Sequence, residues 1–210
     1  MQVFIADKTF TGCGGIAITE AMRLTIAAQA CLLIANRSTD VYPWLRAVLV
    51  YPASFVARHE VSDEAGVLTI EDRELSGESW PEGKVILAWA DVRAGAAGRD
   101  DGNVVYHEFA HQLDLAESLT AGIPARGPLG TDGGSRTFTA TLVAEYRAFC
   151  EVLDRGGATL LPEDAGDDPG EFFAVASEFF IERPCELAAE RPALYALLGG
   201  YYRIDPAAWP

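Results

Sequence analysis

Apolar residues recur every three or four positions along several stretches of the chain, which is the spacing of an amphipathic helix. Five stretches share this pattern: 19–36, 103–114, 138–155, 171–183 and 187–198. Helix-start residues precede two of them, since Thr19 is a suitable N-cap for the first and Asp168 with Pro169 opens the fourth. The sequence therefore predicts helices at these positions, with Gly199 and Gly200 ending the last one.

β-Branched and aromatic residues in the first half of the chain predict strands there. The candidate strands are 45–56, interrupted by Pro52, then 67–70 and 84–92, with a loop over 77–83. A small sheet of about three or four strands is expected from these segments. Strands followed by helices favour a mixed α+β fold in which a small mixed sheet packs on helices.

Glycine and proline interrupt the helical pattern between residues 115 and 137. This composition cannot continue a helix, so a long loop is predicted. Two interpretations stay open. The loop is either the rim of a binding cleft or a disordered connector.

The helix predicted over 103–114 contains the motif H-E-x-x-H, formed by His107, Glu108 and His111. With about 3.6 residues per turn, the two histidines project from one face and can bind one metal ion. Zinc is expected, because imidazole is a good zinc ligand and a catalytic site takes three protein ligands plus water. Glu108 then lies beside the ion as a general base. Asp114 shares the histidine face and is a candidate for orienting a ligand imidazole.

The same short motif also occurs by chance on amphipathic helices, where the histidines are hydrogen-bonded and the glutamate is solvated. Two observations favour a metal site instead. The chain has only three histidines, and two of them have the required spacing. The segment is also predicted to be helical on independent grounds, because Val105, Phe109 and Leu113 form an apolar stripe.

Two glutamates on the helix over 171–183 are candidates for the third ligand. Glu171 and Glu178 share a face, but they lie about 10 Å apart along the axis, too far for both to bind one ion. Each also has an ordinary explanation. Glu171 suits the N3 position of a capping box begun by Asp168, and Glu178 suits a solvent-facing stripe with Glu182. Spacing alone does not choose between them.

The amino-acid composition argues against some classes of binding partner. Acidic residues outnumber basic ones by 31 to 16, and the net charge of −15 argues against nucleic acid or an anionic membrane as a partner. The four cysteines are scattered, and no signal peptide or apolar run of about 20 residues is present. We therefore expect one cytoplasmic domain over 1–210, with a sheet-containing lobe over 1–92 and a helical lobe with the metal site over 93–210.

A family resemblance extends over nearly the whole chain. It is carried by the stretches KTFTGCGG, IAAQACLL, VYP, NVVYHEFAHQLD and EFFAVASEFF. Together they resemble the Mlc titration factor A family of glucose-regulated zinc metallopeptidases, and the metal motifs are similar to those of the anthrax lethal factor catalytic domain. The resemblance implies a zincin-like fold of the gluzincin type, with the H-E-x-x-H helix central. It also implies Glu171 of the E-F-F-A segment as the third zinc ligand, with Glu178 supporting a ligand.

The resemblance further implies a function. It leads us to expect a cytosolic zinc peptidase that hydrolyses peptides through a zinc-activated water, with aminopeptidase activity on small substrates. The strand over 84–92 would then be the edge along which an extended peptide lies. The alternative is a regulatory protein that binds a transcriptional repressor of the Mlc type and has weak or no peptidase activity.

The chain departs from the family pattern in two places. Family members carry a tyrosine about seven residues before the E-F-F-A glutamate, suited to binding an oxyanion. Here Glu163 or Asp164 takes that place, so Tyr106, Tyr201 and Tyr202 are the candidate substitutes. The K-x-F-x-G segment also lies close to the first residue, which leads us to expect that an N-terminal extension common in the family is missing.

Overall fold

The computed structural model describes residues 1–37, 41–62, 68–99, 102–117 and 136–209. Within these ranges six strands form two sheets. The strands are β1 (Thr9–Gly12), β2 (Ala47–Tyr51), β3 (Phe55–Ser62), β4 (Leu68–Leu75), β5 (Gly77–Trp80) and β6 (Lys84–Ala88).

Eight α-helices lie in the same described ranges. They are α1 (Gln2–Asp7), α2 (Glu20–Leu32), α3 (Trp89–Ala96), α4 (Val104–Glu117), α5 (Arg136–Asp154), α6 (Pro169–Glu182), α7 (Pro184–Glu190) and α8 (Pro192–Tyr202). Short 3-10 helices cover Glu163–Gly166 and Pro206–Ala208. None of the helices in these ranges combines the length and the apolar character needed to cross a bilayer.

The larger sheet has the strand order β1-β2-β6-β5. Strands β1, β2 and β6 are parallel, whereas β5 pairs antiparallel with β6 and forms one edge. Val48, Val50, Val85 and Leu87 of the central strands are fully buried, as is usual for parallel strands covered on both faces. Strands β3 and β4 form a separate antiparallel pair.

Helix α4 lies at the centre of the fold and packs against α2, α3, α6, β5 and β6. Its apolar side enters the core through Phe109, which is fully buried. The Phe109 ring contacts the rings of Phe4 and Tyr42, with centroid distances of 5.7 and 5.0 Å. A central H-E-x-x-H helix packed beside a small mixed sheet confirms the predicted fold class.

The local signals for two helices are confirmed. The Thr19 Oγ1 atom accepts a hydrogen bond from the Met22 N–H at 3.2 Å and caps α2. The Asp168 carboxylate accepts from the N–H groups of Gly170 and Glu171 at the start of α6, where Pro169 is the first residue. Both helices begin where the cap residues predict.

The strand predictions need three corrections. The segment 77–83 is not a loop, because Gly77–Trp80 forms β5. The strand predicted over 84–92 ends at Ala88, and Trp89 begins α3. The segment 45–56 is divided between β2 and β3, which belong to different sheets. Pairing with β6 gives β5 its structure, and that pairing is a tertiary effect with little local signal.

Two predictions about the second half also change. The helix predicted over 187–198 is two helices, α7 and α8, separated at Arg191. Gly199 and Gly200 lie inside α8, which continues to Tyr202, so they do not end it. The loop predicted over 115–137 begins later than expected, since α4 extends to Glu117. Residues 118–135 of that loop lie outside the described residues.

Candidate metal centre

Helix α4 presents both histidines of the H-E-x-x-H motif on the side facing α6. The His107 and His111 rings are in edge contact, with centroids 4.9 Å apart. The opposite side of the helix carries the predicted apolar stripe, and Val105, Phe109 and Leu113 are buried. Core packing of that stripe therefore fixes the direction in which the imidazoles point.

Glu171, in the first turn of α6, completes a triad with the two histidines. Its carboxylate oxygens lie 3.3 Å from His107 Nε2 and 3.2 Å from His111 Nε2. The two Nε2 atoms are 3.2 Å apart. A tetrahedral zinc ion with bonds of about 2.0–2.1 Å holds its donors about 3.3 Å apart. Two imidazoles and one carboxylate at these separations therefore fit such an ion.

Glu178 lies behind the triad rather than in it. Its Oε2 atom is 3.5 Å from His107 Nδ1, the ring nitrogen that faces away from Glu171. Glu178 is 8% exposed, so it is not a solvent-facing acid. A side chain at Gly102 would have its Cβ only 2.8 Å from Glu178 Oε1, so glycine leaves room for this carboxylate. A carboxylate on the second nitrogen fixes the tautomer and orientation of a ligand imidazole.

Glu108 is 6% exposed and sits between α4 and the edge strand β5. Burial raises its pKa to about 7, although the neighbouring His107 and His111 act in the opposite direction. A Cβ at Gly77 of β5 would lie 2.6 Å from Glu108 Oε1. The strand backbone thus approaches the carboxylate closely. A carboxyl group with a pKa near neutrality is suited to accept and release a proton.

The charges of the triad depend on one another. Burial lowers the pKa of His107, but its bonds to Glu171 and Glu178 outweigh that effect and raise the pKa to about 10. Burial raises the pKa of Glu171, but its bonds to His107 and His111 hold that pKa well below the usual range. The carboxylates therefore stabilise positive charge at the point where the three side chains meet.

The triad opens into a cleft of about 560 Å³. Its walls come from β5, from α4 and from the start of α6. Asp114 and Asp168 lie on these walls together with Glu78, and none of the described residues that line the cleft is lysine or arginine. Asp114 is thus at the cleft, where the sequence placed it, while its role toward an imidazole stays a prediction.

The candidate substitutes for the missing tyrosine lie elsewhere. Tyr202 is fully buried, and its hydroxyl donates to Ser177 Oγ at 2.7 Å. Tyr106 is buried and does not line the cleft, and this burial raises the pKa of its hydroxyl to about 12. The Tyr201 ring packs against the Phe138 and Phe173 rings, with centroid distances of 5.2 and 5.7 Å. None of the described residues lining the cleft is a tyrosine, so no phenol there is positioned to bind an oxyanion.

Asn103 connects the metal helix to the rest of the fold, a role that its sequence position as a helix-start residue only partly indicates. Its Oδ1 atom accepts from the N–H groups of Val105 and Tyr106. Its Nδ2 atom donates to Gln29 Oε1 at 2.7 Å and to Glu182 Oε1 at 2.9 Å. One side chain therefore caps α4 and also ties it to α2 and α6. Gly77 is a second position that the sequence did not indicate, and its lack of a side chain leaves room for the Glu108 carboxylate.

Known proteins similar to this chain include a family of metallopeptidases, as the geometry of the triad suggests. The model of the family described as glucose-regulated metallo-peptidase M90 matches residues 1–203. An uncharacterized protein of Synechocystis sp. is 36% identical over 208 residues, covering 98% of this chain and 74% of that protein. Mlc titration factor A of Klebsiella pneumoniae is 32% identical over 210 residues, covering 98% and 77%. Mlc titration factor A of Salmonella arizonae is 32% identical over 209 residues, covering 97% and 80%.

Proposed function

The chain belongs to the glucose-regulated metallo-peptidase M90 family, and from this premise we propose that it is a zinc-dependent peptidase. His107, His111 and Glu171 would hold the ion, and the fit of their donor atoms to a tetrahedral site carries the proposal. The ion, when bound, polarises the peptide carbonyl and makes water more acidic. Zinc is the proposed metal because two imidazoles and one carboxylate at tetrahedral separations, with a fourth position left for water, are typical of catalytic zinc sites.

Glu108 is the proposed catalytic base. It accepts a proton from the attacking water and passes that proton to the leaving amine, which requires a carboxyl group that changes protonation easily near neutral pH. The pKa of about 7 that burial gives Glu108 supports this role. Glu178 is proposed to hold His107 through Nδ1 so that Nε2 faces the ion.

The edge for substrate binding is β5 and not the strand over 84–92, because β6 is paired on both sides. The Ala88 N–H donates to the Ser76 carbonyl at 2.8 Å, which sets the register of the β5–β6 pair. Hydrogen-bonded pairs alternate in an antiparallel ladder, so the backbone N–H and C=O groups of Gly77 and Ser79 point away from β6. Both residues line the cleft. An extended peptide added along β5 would meet these groups.

Aminopeptidase action is the more specific proposal. The cleft is lined by Glu78, Asp114 and Asp168 in addition to the triad acid, and carboxylates favour a substrate with a free, positively charged amino terminus. A cytoplasmic location is proposed with it, since all four cysteines are free thiols.

A second candidate function is binding of a transcriptional repressor. Two of the relatives are named Mlc titration factor A, which supports a partner of that kind. The absence of tyrosine among the described residues of the cleft also favours weak turnover. In this alternative the metal centre would have a mainly structural role.

The deciding experiment combines metal analysis with one variant. We expect about one zinc per chain in protein purified without added metal or a histidine tag, and hydrolysis of small aminopeptidase substrates by that protein. Glu108→Gln should keep the zinc and lose about 10²- to 10⁴-fold in rate. Full activity in zinc-bound Glu108→Gln would show that the mechanism is wrong. Equal capture of an Mlc-type repressor by both proteins, with no hydrolysis by either, would favour the binding function.

A further inference from the structure

A second cavity of about 560 Å³ adjoins the metal cleft. It is lined by Trp44, Arg46, Pro81, Glu82, Gln112 and Leu115, and we call it the Trp44 pocket. Pro81 and Leu115 line both cavities. The Trp44 pocket and the cleft therefore share a wall. One extended ligand can occupy both cavities by lying along this wall.

Half of the residues that line the Trp44 pocket are apolar, namely Trp44, Pro81 and Leu115, and the others are Arg46, Glu82 and Gln112. The Trp44 and Leu115 side chains are 67% and 48% exposed, among the most exposed large apolar residues of the described chain. Exposed apolar side chains that are grouped around a cavity are a common feature of ligand-binding grooves. Gln112 is 5% exposed, and its Nε2 atom donates to Ser79 Oγ at 2.7 Å and to the Trp80 carbonyl at 3.3 Å. This amide joins the pocket to the edge strand.

The position of Trp44 is fixed by the turn between β5 and β6. Gly83 in that turn has φ +79°, and a Cβ there would lie 2.1 Å from the Trp44 carbonyl oxygen. The Arg46 N–H donates to the Gly83 carbonyl at 2.8 Å. The backbone that carries Trp44 is thus held against the hairpin before any ligand arrives. A backbone that is already ordered lowers the entropic cost of binding.

Two elements lead from the metal centre to the Trp44 pocket. Leu115 lies four residues after His111 on α4, which is about one turn or 6 Å along the helix. Pro81 follows β5 two residues after Ser79, which is about 7 Å along an extended backbone. An extended peptide advances about 3.3 Å per residue, so both routes correspond to about two residues of substrate.

We propose that the Trp44 pocket is a specificity subsite that binds one large apolar side chain of a peptide substrate, with aromatic side chains preferred. That side chain would lie about two residues from the bond that is cleaved. The inference rests on the proposed peptidase function for the direction of the peptide along β5. Trp44 offers a face for stacking, and Leu115 and Pro81 close the apolar surface around it.

Peptide binding tests the subsite without requiring turnover. The probes are heptapeptides of alanine and serine that carry a single phenylalanine at each position in turn, bound to the zinc-loaded Glu108→Gln protein. We expect one phenylalanine position to tighten binding by about tenfold over the phenylalanine-free peptide, as burial of an aromatic side chain implies. Trp44→Ala should remove that preference and leave the affinity for the phenylalanine-free peptide unchanged, because Trp44 lines the Trp44 pocket and not the metal cleft. Leu115→Ser should also remove the preference.

Trp209→Ala is the matched control, because Trp209 is also an exposed tryptophan, 45% exposed, and lines neither cavity. It should keep the preference. Equal affinity for all the peptides, or a preference that survives Trp44→Ala, would overturn the subsite. Hydrolysis of the same peptides by the zinc-loaded wild-type protein tests the peptidase function separately. Failure of that function is thus distinguished from failure of the subsite.

Discussion

His107 lies between two carboxylates of the same helix, with Nε2 at 3.3 Å from Glu171 and Nδ1 at 3.5 Å from Glu178. The two acids are about two helical turns apart on α6, and the His107 imidazole lies between their carboxylates. Glu171 can therefore act as a ligand while Glu178 holds the ring that binds beside it. In the proposed metal centre this division of roles would let both acids serve one ion.

Glu178→Gln should lower zinc affinity by about 10- to 100-fold while the protein stays folded, because the amide removes the charge that fixes the His107 ring. Glu171→Gln should lower it further, since it replaces the charged ligand carboxylate with a neutral amide oxygen, which is a weaker donor. Competition with a chromogenic chelator measures both. Glu186→Gln, which changes an exposed acid on α7, is the control and should have no effect. Unchanged zinc affinity in Glu178→Gln would contradict the supporting role.

Gly77→Ala should impair catalysis without removing the metal. The added Cβ would lie 2.6 Å from Glu108 Oε1 and 2.5 Å from Val104 Cγ2, so the carboxylate must move. A displaced base lowers kcat by about 10²-fold, and the zinc content should stay near one per chain. Gly200→Ala is the control, because a Cβ there meets nothing within 4 Å. Normal kcat in Gly77→Ala would show that Glu108 does not depend on this contact.

Zinc binding should release about one proton per ion at pH 8. The pKa of His107 is raised to about 10 in the protein without a bound ion, so this ring is charged at pH 8 and must become neutral to bind. The pKa of Glu171 is held low, and it contributes no proton. Affinity should thus rise with pH, about tenfold per unit, until pH reaches about 10.

Calorimetry in two buffers of different ionisation enthalpy counts the protons in that titration. Glu108, with a pKa of about 7, is already mostly ionised at pH 8 and adds little. A heat of binding that is the same in both buffers would mean that His107 is neutral before zinc arrives. That result would contradict the ion pairing of His107 with both carboxylates.

Asn103→Ala should destabilise the protein more than Asn103→Ser. Alanine removes the cap of α4 and leaves Gln29 without its Asn103 donor, for a loss of about 2–4 kcal/mol. Serine can still cap the helix, so the loss should be about 1–2 kcal/mol. Urea unfolding with a common slope measures the difference. Equal losses would mean that the cap contributes nothing.

Local sequence signals predicted the parts of the site that depend on one helix at a time. The spacing of His107 and His111 and the cap formed by Asp168 are properties of single segments, and they gave correct helices. The choice between Glu171 and Glu178 was different. It depends on how α6 sits beside α4, and spacing along one helix contains no information about that distance. Only the family resemblance indicated Glu171.

The edge strand was missed for a related reason. Gly77 is a poor strand residue by propensity, and Glu78 is charged, so the segment has the composition of a loop. Its conformation comes from pairing with β6, and the need for glycine comes from the Glu108 carboxylate on another element. The positions of the candidate tyrosines could not be predicted for the same reason. Tertiary packing directs the Tyr202 hydroxyl to Ser177, away from the cleft, and the sequence carries no signal for that contact.

The edge strand β5 is only four residues long, and two of those residues, Gly77 and Ser79, turn their backbone groups outward. A ladder this short can pair with about three residues of a second chain. Lengthening a substrate beyond that size adds no further backbone hydrogen bonds along β5. Rate constants for a homologous series of peptides should consequently level off within a few residues, which suits an enzyme that trims short fragments more than one that processes whole proteins.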